Sequence, residues 1–204
     1  MTTRTRRGQQ TKEAIFQAAL ELFSQRGYDA VSIREIAGAV GIKESSIYNH
    51  YASKEEILEQ IFQFFVARVQ SARPSQAEAR ELLSYLSPEE FLKYLVMQVG
   101  KQLGEDMDKA ARVIYGEKYR NARAKELYIE TVFREPAGYY VHVFALMAEL
   151  GLIRPVDFEL YAEQYNYVLA ALTEEYALAD DVAPIVKKML RNADFFARLL
   201  QSEQ

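Results

Sequence analysis

Val40–Lys54 reads VGIKESSIYNHYASK, and its reading decides the fold. Ser45, Ser46, Tyr48, Asn49 and His50 crowd hydrogen-bonding groups into six positions, with Gly41 before them and a helix start immediately after. Upstream, Ser32 and Glu35 in "SIRE" have capping-box spacing, in which the hydroxyl caps the N3 amide and the carboxylate reaches back. They predict a helix over about Ile33–Val40. Gly41 breaks it, because glycine takes the positive φ of a tight turn without steric cost. A third helix is expected from about Lys43 to Tyr51, and "SKEE" at Ser53 and Glu56 is a second capping box that opens a long helix. Two short helices joined by a glycine-containing turn make a helix-turn-helix. Ile36, Val40, Ile42, Ile47 and Tyr51 supply the contacts that lock the pair together. Lys43, Ser45, Ser46, Asn49 and His50 are left on the outer face, where short polar groups reach base edges and phosphate oxygens in a major groove.

The rest of the chain is also helical. Upstream, Ile15, Ala18, Ala19, Leu22 and Phe23 form one apolar stripe, ended by Gly27 in "QRGYD". Downstream, Leu58, Ile61, Phe62, Phe65 and Val69 form another, stopped by Pro74. Further starts are predicted at Ser75, Ser87, near Asp106, near Asn121 and near Pro136. Two final helices carry Phe158–Leu172 and Val182–Leu200. No segment alternates with period two between hairpin turns, so the fold class is all-α. The expected domains are residues 1–52 with a basic N-terminal arm, a connecting helix over 53–73, and a larger helical ligand-binding and dimerisation domain over 74–204.

Composition narrows the function. The 204 residues contain no cysteine, which removes disulfides, thiolate nucleophiles and zinc-thiolate sites together. No apolar run approaches the ~18 residues of a membrane span, and the start has no apolar signal region. These features point to a soluble, cytoplasmic protein. The net charge of −4 is split: residues 1–54 hold eight basic against five acidic residues, +3, and the remainder is −7. A basic head on an acidic body directs a polyanion to the head. Arg4, Arg6 and Arg7 suit a groove- or phosphate-binding arm, or an incidentally charged tail.

Thr11–Leu58, "TKEAIFQAALELFSQRGYDAVSIREIAGAVGIKESSIYNHYASKEEIL", resembles the DNA-binding head of the tetracycline-repressor (TetR) family. The resemblance implies a homodimer on a palindromic double-stranded operator, repression of nearby genes, and release by a small-molecule effector bound in the C-terminal domain. By matching position it implies phosphate contacts from Tyr48 and Lys54. It also leaves Glu44, next to Lys43 where many relatives carry a Ser or Thr cap, facing phosphate repulsion unless it points away or accepts from a cytosine amine.

Beyond the head, eleven tyrosines are spread through the chain. Tyrosine suits a ligand pocket, and it suits core edges and dimer interfaces equally. The pocket candidates are Met97, Tyr115, Tyr119, Tyr128, Phe133, Tyr140 and Phe144, with Arg112 or His142 as a polar anchor. His50 and His142 are too far apart in sequence to suggest a zinc site. No metal, cofactor or catalytic residue is expected. Adjacent acids such as Asp180 and Asp181 point about 100° apart on a helix, so they form no catalytic pair. Phe195 and Leu199 lie off the main stripe of the last helix, which predicts a homodimer through a four-helix bundle of the last two helices of each chain. A small-molecule carrier would present a similar pocket and remains the alternative.

Overall fold

The computed structural model describes residues 3–102, 104–179 and 181–201. Within them the elements are α1 Thr3–Arg26, α2 Ile33–Val40, α3 Glu44–Ile47, α4 Lys54–Ser71, α5 Gln76–Leu82, α6 Pro88–Gln102, α7 Glu105–Glu117, α8 Ala122–Ile129, a π-helical turn Glu130–Arg134, α9 Glu135–Glu149, α10 Phe158–Leu178 and α11 Ala183–Leu200. No strand occurs among the described residues. No helix there is long and apolar enough to cross a membrane.

The chain forms two compact units, one of residues 1–67 with 104–127, the other of 68–103 with 128–204. In the first, α1 lies against both α2 and α7. Two neighbours widen its buried face, so the side chains sealed inside are Ile15, Phe16, Ala19, Leu20 and Phe23. Ala18 and Leu22, expected on the stripe, are half-buried. The second unit has its core between α6, α9, α10 and α11, centred on Phe91, Leu92, Phe144, Met147, Tyr165, Ala193 and Leu200.

Helix ends follow local chemistry. The Ser32–Glu35 box is complete, with Glu35 accepting from the Ser32 amide at 2.8 Å and its hydroxyl at 2.7 Å. Ser75–Glu78 and Ser87–Glu90 repeat it. Ser53 caps the Glu56 amide at 3.3 Å, but Glu56 reaches back to the Ala52 amide, one residue earlier than the box predicts. Asn121 caps α8 through the Arg123 and Ala124 amides, and Asp181 accepts from the Ala183 amide at 3.0 Å. Asp180, its neighbour, lies outside the described residues.

The break expected near Pro136 is instead a π-helical turn within one helical run. Pro136 has no N–H to give the carbonyl four residues back, that of Val132. Asn166, 3% exposed on α10, supplies the missing donor: its amide group gives hydrogen bonds to Val132 O at 3.1 Å and Phe133 O at 3.2 Å.

Glu35 also pairs with Arg26 at 2.8 Å across the α1–α2 joint. The Ser32 amide first, then its hydroxyl and Arg26, hold the carboxyl down from 4.5 to about 2. A depressed carboxyl stabilises the fold above its unfolded value and ceases to do so as pH falls through the folded one. Glu35→Gln is therefore expected to flatten the melting-temperature profile between pH 4.5 and 2, measured by circular dichroism; an unchanged acid limb would contradict this coupling.

Candidate nucleic-acid interface

Gly41 ends α2 in the left-handed conformation, φ +74°, and its turn is closed by Ile42 N–H to Ala37 O at 3.0 Å. Beyond it α3 is a single turn, Glu44–Ile47, shorter than the expected Lys43–Tyr51. The amides of His50 and Tyr51 both return to Ile47 O, at 2.8 and 3.0 Å, so Tyr48–His50 continue as a tighter turn. Lys43 occupies the N-cap position without a side-chain capping bond, and Glu44 stands exposed beside it.

Two anchors fix this segment. Ile47 is fully buried, and Tyr51 is 2% exposed, with its hydroxyl given to Lys12 O at 3.4 Å and Lys12 Nζ 4.9 Å over its ring. Ile36 and Ala37 are buried on the facing side of α2, while Val40 and Ile42 are half-buried. With its apolar residues held inward, the segment presents Lys43, Ser45, Tyr48 and Asn49 outward, with Ser46 and His50 half-buried between them. Tyr48 is 52% exposed although its ring is large and apolar. None of these six side chains has a hydrogen-bond partner among the described residues. On an anchored turn these donors and acceptors are open to water or to another molecule.

Lys54 is placed otherwise. Its ammonium donates to Tyr28 O and Val31 O, both at 2.8 Å, and sits 4.0 Å above the Tyr28 ring. The phosphate role implied for it is thus joined by a structural one, gripping the loop that launches α2. Tyr28 is the centre of that joint: its hydroxyl donates to Glu55 at 3.0 Å and its amide to buried Glu117 of α7 at 3.3 Å. Burial, then Glu55, keeps the phenol protonated far above its ordinary range. Gln17–Asp106, at 3.1 Å, and Lys109–Glu21 tie α7 to α1 further along. Sequence reasoning missed Tyr28 and Glu117. Nothing local marks Glu117, because its partner lies 89 positions away. Arg6 and Arg7 stand exposed at the start of α1, which is helical from Thr3; the side chain of Arg4 lies outside the described residues.

Residues 15–61 match the model of the family described as bacterial regulatory proteins, tetR family. Over these residues the head is similar to that family. A biofilm operon icaADBC HTH-type negative transcriptional regulator, IcaR, from Staphylococcus epidermidis is 41% identical over 59 residues, which are 27% of this chain and 32% of that protein. The chain thus matches only about a third of the length of this curated relative. Solved structures share the fold over nearly the whole chain. A tetR-family regulator from Mesorhizobium loti superposes with TM-score 0.70 at 22% identity, covering 96% of this chain and 99% of that one. A regulator from Saccharomonospora viridis, solved in complex with choline, gives TM-score 0.69 at 20% identity, covering 96% and 100%.

Outside the head, the structure divides the expected pocket residues. Arg112, Tyr115 and Tyr119 belong to the compact unit that contains α1, with Arg112 exposed and Tyr119 87% exposed. Met97 is 46% exposed, and His142 is exposed with Nδ1 2.7 Å from Gly138 O. Tyr119 falls in the turn after α7, and position along the central helices does not say which neighbour a side chain meets. Tyr128 and Phe133 do meet, edge-on at 5.7 Å, and Phe133 continues to Tyr167 at 6.1 Å. Tyr140 and Phe144 stack at 6.2 Å around Tyr165, which sits 4.7 Å from Tyr140. Tyr165 is fully buried and its hydroxyl has no partner among the described residues. Burial keeps its phenol, and that of Tyr140 at about 12, protonated.

Proposed function

We propose that this chain is a dimeric, ligand-responsive transcriptional regulator, a repressor released from a palindromic operator by a small-molecule effector. One observation carries the reading: the unengaged row Lys43, Ser45, Ser46, Tyr48, Asn49 and His50 stands on a turn pinned by Ile47 and Tyr51. Ser45, Ser46, Asn49 and His50 meet base edges or phosphates, Tyr48 and Lys43 meet groove walls, and Lys54 both braces the head and meets phosphate. Two such heads read half-sites ~34–36 Å apart, one helical turn or a multiple. The IcaR relative, itself a negative transcriptional regulator, and the neighbour holding choline support the two halves of this reading.

The dimer uses α10 and α11. Phe195 is 56% and Leu199 38% exposed on α11, and Leu160, Tyr167 and Val168 are exposed on α10. Large apolar groups left in water on adjacent helices favour burial against a second copy. Release is a population shift: the effector acts only as far as it prefers the arrangement of heads that cannot span the operator. Helix α4 is the proposed lever, since it starts in one compact unit and ends in the other.

The experiment is a gel shift with DNA flanking the chain's own gene at two salt concentrations. Asn49→Ala and His50→Ala are each expected to cost about 1–3 kcal/mol on operator DNA and almost nothing on random DNA. Equal losses on both would remove these residues from base readout.

A further inference from the structure

The end of α4, α5 and α6 enclose a cleft of about 340 Å³, within the range of small-ligand sites. Its inner wall is half-buried Arg73, Leu82, Tyr94 and Gln98, and its rim is exposed Glu78, Glu81 and Tyr85. Charges of both signs line it, yet Arg73 forms no ion pair with either carboxylate. Arg73 lies instead against an aromatic face, its guanidinium 5.8 Å from the centre of the Tyr139 ring. The Tyr139 hydroxyl is buried and has no partner among the described residues. Glu78 stays ionised, because the Ser75 hydroxyl and then the Ser75 amide hold its carboxyl low.

Unlike charges that share a cleft without pairing across it suit one molecule that pairs with both. A ligand with only a cation would set its charge beside Arg73, and one with only an anion would set it beside Glu78 and Glu81. We propose that this cleft binds a small zwitterion of the α-amino-acid type, its carboxylate on Arg73 and its ammonium on Glu81 and Glu78, with its side chain against Tyr94 and Leu82. Resting on the regulator reading above, this assigns the effector its chemical class. Ser71, Arg73 and Pro74 belong to the end of α4 and the residues that follow it, so occupancy of the cleft acts on the proposed lever directly.

The test is a thermal-shift and calorimetric screen of the full chain against the common L-α-amino acids at millimolar concentration. The tightest binder is then compared with its deaminated and its decarboxylated counterparts. Each counterpart is expected to bind at least about tenfold more weakly, ~1.4 kcal/mol. Arg73→Gln should erase the preference over the decarboxylated amine, and Glu81→Gln, on an exposed side chain, should narrow the preference over the deaminated acid. The proposal is overturned if no amino acid binds, if a singly charged counterpart binds as tightly, or if both variants keep the full preference. Those results leave operator binding by the ligand-free protein untouched, whereas failure of the ligand-free protein to prefer any duplex sinks the regulator reading instead.

Discussion

Lys54→Ala is expected to destabilise the head by roughly 2–4 kcal/mol, from the loss of two hydrogen bonds to a charged donor, each worth about 1.5–3 kcal/mol before water replaces part of it. The two acceptors are the carbonyls of Tyr28 and Val31, which flank the loop into α2. The cation over the Tyr28 ring adds a smaller share. Since α2 starts two residues after Val31, loosening this loop displaces the helix that positions α3. Binding to operator and to random DNA should therefore fall together with the melting temperature. A residue serving phosphate alone would behave differently: its removal would lower the salt slope by about one and leave the melt unchanged. Melts and gel shifts at two salt concentrations separate the two outcomes, and an unaltered melting temperature would contradict the structural role.

Replacing both Phe195 and Leu199 with Asp is expected to give a folded monomer that binds operator roughly 10²–10⁴-fold more weakly. That is the factor lost when a second linked contact becomes a separate binding event. Both side chains are exposed within one chain, so each Asp meets water there and costs the isolated fold little. In the proposed four-helix bundle the same carboxylates are buried without partners, which is expensive enough to prevent association. Sedimentation reports the mass, circular dichroism the fold, and a gel shift the affinity. A dimer that survives the double substitution would place the interface elsewhere.

The sequence carries the local structure of the head almost to the residue. Ser32, Glu35 and Gly41 delimit α2 because capping and the positive-φ turn depend on residues within four positions of one another. The length of α3 was less legible. Tyr51 keeps helical spacing with Ile47, but it must bury beside α1, and the Ala52 amide is taken by Glu56, so the chain turns after Ile47. That competition involves elements on both sides and leaves no trace in periodicity. The phosphate role of Lys54 comes from the family resemblance, while its carbonyl acceptors lie 23 and 26 residues upstream. The same holds for Asn166, which reads as an ordinary polar residue on α10 until the carbonyls freed by Pro136 are set beside it. The surroundings of the pocket candidates were hidden for a related reason. The sequence places Met97 along α6 and Tyr119 just after α7, but their exposure is decided by neighbours that the pattern does not name.

The central claim is that α3 and the turn after it offer their free polar groups to a specific duplex. Selection of bound fragments from a pool of random double-stranded oligonucleotides tests it most directly, with the wild-type protein and Asn49→Ala in parallel. The expected result is a palindrome enriched by the wild type, with fewer fixed bases per half-site for Asn49→Ala. No enrichment of any sequence by the folded wild-type dimer would contradict the account.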